Sequence, residues 1–270
     1  GARMALVVGN ADYDALAAVP GATRDAREIA ETLEAQGAEV SLLLNSDGAT
    51  FAAAFDSFER RAADAGMVLF YFAGHGLRSF GINQLAPIDV RLDDPDAVKA
   101  GVALAPLLER LVTGTRPAVI VLDASHRFDL SPQVAARVAP GLGAPAPGRE
   151  ALVVMATQPG SLVADAAGAD FALDLNDALA IPGQPLETVL QNLATSVRSV
   201  SDGRQTPWIR SSLSEPLFLR PFEPDETDFD RLAAMPEAQQ AFLLDIWRSQ
   251  GAQIDAAQIA RRLGKPAATD

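Results

Sequence analysis

The sequence contains no cysteine, and its basic residues are outnumbered by its acidic ones. Disulfides, cysteine-rich zinc sites and thiol catalysis are therefore excluded for the chain as it stands. The 22 lysines and arginines against 35 aspartates and glutamates give a formal net charge of −13 at pH 7. Such a chain would be repelled by nucleic acid and by anionic membranes, so we expect neither as a partner. No stretch approaches 18 apolar residues, so we expect no membrane span within these residues.

Apolar residues make up 49% of the 270 positions, enough for a full-sized core. Short apolar runs predict strands at 5–8, 40–44, 67–73, 117–124 and 151–156. Helical periodicity predicts helices at 23–33, 51–58, 104–111, 169–179 and 186–200. This alternation is typical of an α/β fold with a mostly parallel sheet covered on both faces. Ligands of such sheets lie beyond the carboxyl ends of the strands, which directs attention to the residues after Phe72 and Leu122.

Two segments stand outside this alternation. Proline, glycine and alanine dominate residues 131–149, which predicts a long surface loop. After residue 224 an acidic stretch leads into a predicted helical pair, whose apolar residues are Phe242, Leu243, Ile246 and Trp247 on one face and Ile254, Ile259 and Leu263 on the next. We therefore expect a main domain over residues 1–222 and a helical C-terminal extension over residues 223–270.

Two strand ends carry candidate catalytic residues. His75, one of only two histidines, stands between Gly74 and Gly76 directly after a strand, where the glycines leave room for a ligand beside the imidazole. A satisfied loop histidine is the alternative interpretation. Ser125 follows the next apolar strand, fifty positions later. That is the separation of histidine and nucleophilic cysteine in caspases, with serine here at the cysteine position.

With these motifs the sequence resembles the caspase-like superfamily, in particular the bacterial metacaspase-like (orthocaspase) branch of the C14 peptidases. Seven blocks carry the resemblance in family order: Ala-Leu-Val-Val-Gly-Asn at 5–10, Asp-Ala at 25–26, Tyr-Phe-Ala-Gly-His-Gly at 71–76, Leu-Ala-Pro-Ile-Asp at 85–89, Leu-Asp-Ala-Ser at 122–125, Ala-Thr-Gln-Pro-Gly at 156–160, and Thr-Pro-Trp at 206–208 with Ser-Ser-Leu at 211–213. The resemblance implies a three-layer αβα sandwich. It also implies a cysteine endopeptidase that acts on peptide or protein substrates. It also implies a monomer, soluble in a bacterial cytoplasm or periplasm.

The resemblance also assigns roles to residues. His75 and the Ser125 position would form the catalytic dyad, and the backbone N–H groups of Gly76 and Ser125 would form the oxyanion hole. Asp25 and Asp123 match the family aspartates that bind arginine or lysine before the cut, which suits the acidic chain. Without the family, Asp25 would be interpreted as a helix-start residue and Asp123 as a strand-end turn residue. The family often has serine where this chain has Ala73, so the pocket differs at that position.

No cofactor is expected. Asp89, Asp93, Asp94 and Asp96 could resemble the calcium site of some metacaspases, but only Asp89 lies in a matching block, so a solvated acidic loop is the preferred interpretation. Zinc is disfavoured because two histidines without cysteine offer too few of its preferred ligands.

Ser125 leaves three interpretations open. The chain is a cysteine protease whose nucleophile was changed to serine, a natural pseudoprotease that binds peptides or partners, or a serine hydrolase that uses Ser125 and His75. A serine hydroxyl is far less acidic than a thiol and needs more help from its histidine. The first two interpretations predict little or no activity.

Two further expectations concern the surroundings of the dyad. His126 follows Ser125 along an extended chain, so its side chain should point away from the site. Arg137 and Arg149, in the predicted loop, are positions where a basic-specific protease could cut itself, and a serine form should lack that self-processing.

Overall fold

A computed structural model describes residues 1–92, 101–146, 148–163 and 170–263. Its central sheet has six strands in the order β10-β9-β7-β3-β1-β2. These strands are β1 (Arg3–Gly9), β2 (Glu39–Leu44), β3 (Met67–Ala73), β7 (Ala118–Asp123), β9 (Ala151–Met155) and β10 (Trp208–Ser211). All neighbouring pairs are parallel except β10 with β9. The predicted mostly parallel sheet is confirmed.

Each of the main helices has one apolar stripe along its length. They are α1 (Ala22–Ala35), α2 (Gly48–Arg61), α3 (Leu104–Leu111), α5 (Phe171–Leu179) and α6 (Leu186–Val200), with a 3₁₀ turn at Ala62–Asp64. Phe51, Phe55 and Phe58 of α2 pack with the α3 leucines against alternate residues of β1, β3 and β7. The opposite face holds α1, whose Ala22 and Ala26 approach Gly9 so closely that a Cβ there would lie 2.4 Å from the Ala22 carbonyl oxygen. Helices therefore cover both faces, as the α/β prediction requires.

A second, antiparallel sheet was not predicted. It consists of β4 (Gly76–Ser79), β5 (Ile82–Leu85), β6 (Val102–Ala103) and β8 (Val138–Pro140) in the order β6-β5-β4-β8. The prediction of a surface loop over 131–149 is wrong for the first part of this segment. A short helix, α4 (Pro132–Ala135), is followed by β8, which pairs with β4. Backbone hydrogen bonds to β4 outweigh the loop-forming composition of the segment.

Contacts along the chain define two compact units, residues 1–178 with 190–215 and residues 179–189 with 216–270. The second contains α7 (Glu226–Ala233), α8 (Glu237–Ser249) and α9 (Ala256–Arg262). Leu232, Leu244, Trp247 and Ala252 form its core. The expected helical pair is thus three helices, and Phe242, expected on the packed face, is 68% exposed. The functional boundary between residues 222 and 223 stays a prediction.

A helix that crosses a membrane needs about 20 consecutive, mostly apolar residues. Within the described ranges, no helix has the length and apolarity needed to cross a bilayer.

Candidate active site

His75 and Ser125 lie side by side at the carboxyl edge of the central sheet. The chain leaves β3 at Ala73 and β7 at Asp123, two directly paired residues. The Gly74 N–H donates to the Asp123 carbonyl at 3.0 Å, and the Gly76 N–H donates to the Ala124 carbonyl at 2.9 Å. An antiparallel bridge then joins His75 to Ser125. The structure thus brings together two residues that are fifty positions apart in the sequence.

The His75 imidazole is fully buried and held by a backbone carbonyl. Its Nε2 lies 2.8 Å from the carbonyl oxygen of Ala17, between β1 and α1. In a neutral ring that contact assigns the proton to Nε2, which leaves Nδ1 as an acceptor. Nδ1 has no hydrogen-bond partner among the described residues. Burial lowers the pKa of His75 to about 4, so at neutral pH the ring is uncharged and Nδ1 carries a lone pair.

Ser125 contributes a hydroxyl without a partner. The residue is 1% exposed, and its Oγ makes no hydrogen bond within the part of the chain that the structure describes. The Oγ therefore does not donate to His75 Nδ1, although both atoms are buried on paired residues. A hydroxyl activated by a general base requires that hydrogen bond. In this arrangement no described group is within hydrogen-bonding distance of the Ser125 hydroxyl.

The Gly76 N–H, assigned to the oxyanion hole, is engaged. It donates to the Ala124 carbonyl, and a Cβ built on Gly76 would lie 2.6 Å from that same oxygen. Such a close approach of two backbones requires glycine. The oxyanion roles of Gly76 and Ser125 stay predictions, since Gly76 can serve a substrate only after it releases Ala124.

Tyr13 is a site residue that sequence reasoning missed. Its hydroxyl accepts a hydrogen bond from the His75 backbone N–H at 2.8 Å and donates to the Ala86 carbonyl at 3.3 Å. Its ring lies 4.8 Å from the imidazole, and the ring of Phe128 lies 4.9 Å from the imidazole in an edge-on arrangement. The histidine ring therefore packs against two aromatic rings. The only signal in the sequence was that Tyr13 follows closely after the block at 5–10, near the end of the first predicted strand.

Three carboxylates converge beside the dyad. Asp25 lies in the first turn of α1, Asp123 ends β7, and Asp170 precedes α5. Burial, followed by the charge of Asp170, raises the pKa of Asp123 to about 7. Burial also raises the pKa of Asp25, although the neighbouring Arg24 opposes the shift. Both predicted substrate-binding aspartates thus share one electrostatic environment, together with Asp170, which the sequence motifs did not indicate.

His126 lies at the site, so the expectation that it points away is wrong. Its Nε2 is 3.6 Å from Asp123 Oδ1, and its ring centre is 6.2 Å from that of His75. The strand ends at Asp123, so regular side-chain alternation no longer applies beyond it. Burial lowers the pKa of His126 while it raises the pKa of Asp123. Both shifts favour uncharged forms, so the contact is weaker than a full ion pair.

The acidic cluster considered for calcium is only partly described. Asp89 Oδ1 accepts a hydrogen bond from the Gly48 N–H at 2.9 Å. Asp93, Asp94 and Asp96 lie outside the described residues. The expectation that no metal is bound there stays a prediction.

Comparisons with known proteins match this architecture. A family model described as the caspase domain, Peptidase_C14, matches residues 2–218. The fold is similar to that of the initiator caspase Dronc of Drosophila, with a TM-score of 0.59 at 14% identity over 80% of this chain and 82% of that chain. It is also similar to caspase-1 of Spodoptera frugiperda, with a TM-score of 0.57 at 16% identity over 81% of this chain and 89% of that chain. Comparison with curated proteins gives no match.

Proposed function

The chain belongs to the caspase-domain family of C14 cysteine-type peptidases, and on that basis we propose that it is an endopeptidase domain built to cut after arginine or lysine, silent in the form that carries Ser125. The sequence blocks at 71–76 and 122–125 support its assignment to the bacterial metacaspase-like branch. The proposal has three parts. The mechanism needs a thiol, the specificity is for arginine or lysine before the cut, and turnover is lost because Ser125 has oxygen where cysteine has sulfur.

The observation that carries the proposal is the contact between His75 and the Ala17 carbonyl. A backbone carbonyl fixes the ring and its tautomer, but it carries no charge that could stabilise an imidazolium. Serine proteases use a buried carboxylate at this point, and disabling it costs roughly 10⁴ in rate in the well-studied example. A thiol, with an ordinary pKa near 8.5, needs much less assistance. This contact supports a mechanism with cysteine at position 125 and disfavours the serine hydrolase.

In the proposed reaction, residue 125 is the nucleophile and His75 transfers the protons. A thiol at position 125 passes its proton to His75 Nδ1 and attacks the scissile carbonyl carbon. The oxyanion is received by the N–H groups of residue 125 and Gly76, once Gly76 has left the Ala124 carbonyl. His75 returns the proton to the leaving amine, which releases the first product and leaves an acyl-enzyme. Water, deprotonated by His75, completes hydrolysis of the thioester.

Specificity is proposed from the carboxylates. Asp25 and Asp123 offer oxygens to the planar guanidinium fork of arginine or, as a point charge, to lysine. The side chain of Asp25 is 13% exposed and that of Asp123 is 11% exposed, so a bound cation would be largely removed from water. Attraction is stronger there than at the surface. The net charge of −13 favours approach of basic substrates over acidic ones.

A paired assay tests this function. The chain as given and its Ser125→Cys variant are incubated with fluorogenic peptides that end in arginine, lysine or aspartate before the reporter. We expect only the variant to cleave, only after arginine or lysine, and activity to disappear when His75→Ala is added. Because the chain has no other thiol, Ser214→Cys at an exposed position is a matched control that adds a thiol away from the site.

Two results would redirect the interpretation. Cleavage after aspartate would remove the assignment of Asp25 and Asp123 to a basic pocket. If neither form cleaves any peptide, the pseudoprotease is favoured, a binding module in which the engaged Gly76 N–H and Ala73 belong to a pocket no longer used for turnover.

A further inference from the structure

Arg24 places a guanidinium from the chain itself against the carboxylates of the basic pocket. Its Nη2 lies 2.6 Å and its Nε 2.9 Å from Asp25 Oδ1. The same Nη2 lies 3.5 Å from Asp170 Oδ2. The Arg24 side chain is 60% exposed, whereas that of Asp25 is 13% exposed. An exposed cation thus covers a nearly buried carboxylate from the solvent side.

Asp170 has two separate roles, one for each oxygen. Its Oδ1 accepts a hydrogen bond from the Leu173 N–H at 3.1 Å and so caps the start of α5. Its Oδ2 faces Arg24. The negative charge of Asp170 helps to raise the pKa of both Asp25 and Asp123. The helix cap explains why residue 170 is an aspartate, and the contact of its Oδ2 with Arg24 connects Asp170 to the pocket.

Tyr71 contributes a buried hydroxyl that is close enough to this cluster for its charges to act on it. Tyr71 is fully buried, and its Oη has no hydrogen-bond partner among the described residues. On β3 it shares a face with Ala73, the direct partner of Asp123. Burial raises its pKa well above the usual range, and the charges of Asp123, Asp25 and Asp170 add to the shift. The three carboxylates are thus within electrostatic reach of Tyr71, on the strand face where Ala73 supplies no polar group.

We propose that Arg24 and Asp170 determine the affinity of this pocket for basic side chains, Arg24 as an internal cation that the substrate displaces from Asp25, and Asp170 as the third carboxylate. In the resting protein Arg24 bridges Asp25 and Asp170. When a substrate cation takes Asp25 and Asp123, Arg24 stays with Asp170. Two cations then face three carboxylates, of which Asp123 is partly protonated near neutral pH, so the charges nearly balance. The inference rests on the proposed basic specificity.

Equilibrium binding to the chain as given tests this without turnover. The probe is an acetylated tetrapeptide methylamide that ends in arginine, and its control is the same peptide with citrulline, an uncharged isostere of arginine. Binding is followed by calorimetry and by the NMR signals of the two histidines, since His126 lies beside Asp123. The variants are Arg24→Gln and Asp170→Asn, because asparagine keeps the helix cap and removes only the charge.

Matched controls separate position from net charge. Arg27→Gln removes the same charge from an exposed position on the same helix, and Asp177→Asn does so on α5. We expect Arg24→Gln to bind the arginine peptide about fivefold more tightly, because the partly exposed ion pair that competes with the peptide is gone. Arg27→Gln should change binding less than twofold. Asp170→Asn should weaken binding about threefold, and the citrulline peptide should be insensitive to every variant.

The outcomes distinguish this inference from the proposed function. If the arginine peptide binds, Asp123→Asn abolishes binding, and Arg24→Gln behaves like Arg27→Gln, the basic pocket stands and the role of Arg24 is overturned. Equal binding by Asp170→Asn and Asp177→Asn would overturn the role of Asp170. If neither the chain as given nor Arg24→Gln binds arginine better than citrulline, the basic specificity and this inference fail together.

Discussion

The hydroxyl of Tyr13 fixes the backbone of His75. It accepts the His75 N–H at 2.8 Å while its ring packs on the imidazole, so one side chain orients both the main chain and the ring of the proposed base. A Cβ on Gly74 would lie 2.5 Å from the same hydroxyl oxygen, which explains the glycine before the histidine. The position of the imidazole therefore depends on a residue more than sixty positions earlier in the chain.

Tyr13→Phe should destabilise the protein and disturb the site. It leaves the buried His75 N–H without an acceptor, which costs about 1–3 kcal/mol. For a chain of this size that lowers Tm by roughly 3–10 °C. Tyr71→Phe, the other tyrosine, removes a hydroxyl without a partner among the described residues, so its Tm should be unchanged or higher. Thermal melts at pH 7 make the comparison, and an equal loss in both variants would contradict the role of Tyr13.

His75 should remain neutral throughout the physiological range. With only two histidines, NMR titration follows both, and His126→Ala assigns the signals. We expect a pKa of about 4 for His75, because burial disfavours its charged form. The unfolded chain binds this proton near pH 6.5, so the contribution of His75 to stability is present above that pH and is lost as the pH falls towards 4. A midpoint at 6 or above would contradict the burial of the ring.

Asp123→Asn should stabilise the fold more at high pH than at low pH. Burial and the charge of Asp170 raise the pKa of Asp123 from 3.8 to about 7. Between those values the folded state holds a proton that the unfolded chain has released, so stability falls as the pH rises through this window. The Tm difference between variant and parent should grow from pH 4 to pH 8. The exposed Asp177→Asn removes the same charge and should show a smaller trend, and parallel Tm curves would refute the prediction.

Trp247→Ala should destabilise the second compact unit by about 3–5 kcal/mol, because the indole fills its small core. The rings of Phe222 and Phe229 contact it at 5.9 and 5.5 Å between centres. Phe242→Ala, on the same helix but 68% exposed, should change stability by less than about 0.5 kcal/mol. Hydrogen exchange of the α8 amides measures both effects. Equal protection in the two variants would contradict the assignment of this core.

Gly76→Ala should lower stability and abolish activity of the Ser125→Cys form. The new Cβ would lie 2.6 Å from the Ala124 carbonyl oxygen and 2.7 Å from the Leu142 side chain, so the bridge to Ser125 would have to open. Gly143→Ala is the control, since its Cβ meets no atom nearer than 3.4 Å. Melting curves and peptide cleavage compare the two variants, and full activity of Gly76→Ala would show that the close approach is dispensable.

The five parallel strands of the central sheet were predictable because their information is local, whereas the antiparallel edge strand β10 was not predicted. The run at 67–73 is apolar throughout and becomes β3, and the periodic segments at 104–111 and 186–200 become α3 and α6 with the predicted bounds. The antiparallel sheet was missed because its strands have at most four residues, and because β8 and β6 pair with strands far away in sequence, as Val138 does with Ser79. Strands that short carry too little periodicity to be identified.

The site divides in the same way. His75 and Ser125 stand in recognisable motifs, whereas Ala17 acts through its carbonyl oxygen, and any residue type has one. Asp170 meets Arg24 across 146 positions, a juxtaposition that only the folded chain creates. His126 was misjudged because strand alternation was extended past the end of β7.

Self-processing would have to begin with the small antiparallel sheet. The Arg137 carbonyl accepts the Phe80 N–H at 3.1 Å, and the next residue, Val138, opens β8. A protease holds its substrate as an extended strand, so a bond already paired with β4 is protected until that pairing breaks. Cleavage after Arg137 would therefore proceed at the rate of local opening. Because β4 starts at Gly76, an opening that exposed this bond would also loosen the strand next to His75, and self-processing would then depend on the state of the active site.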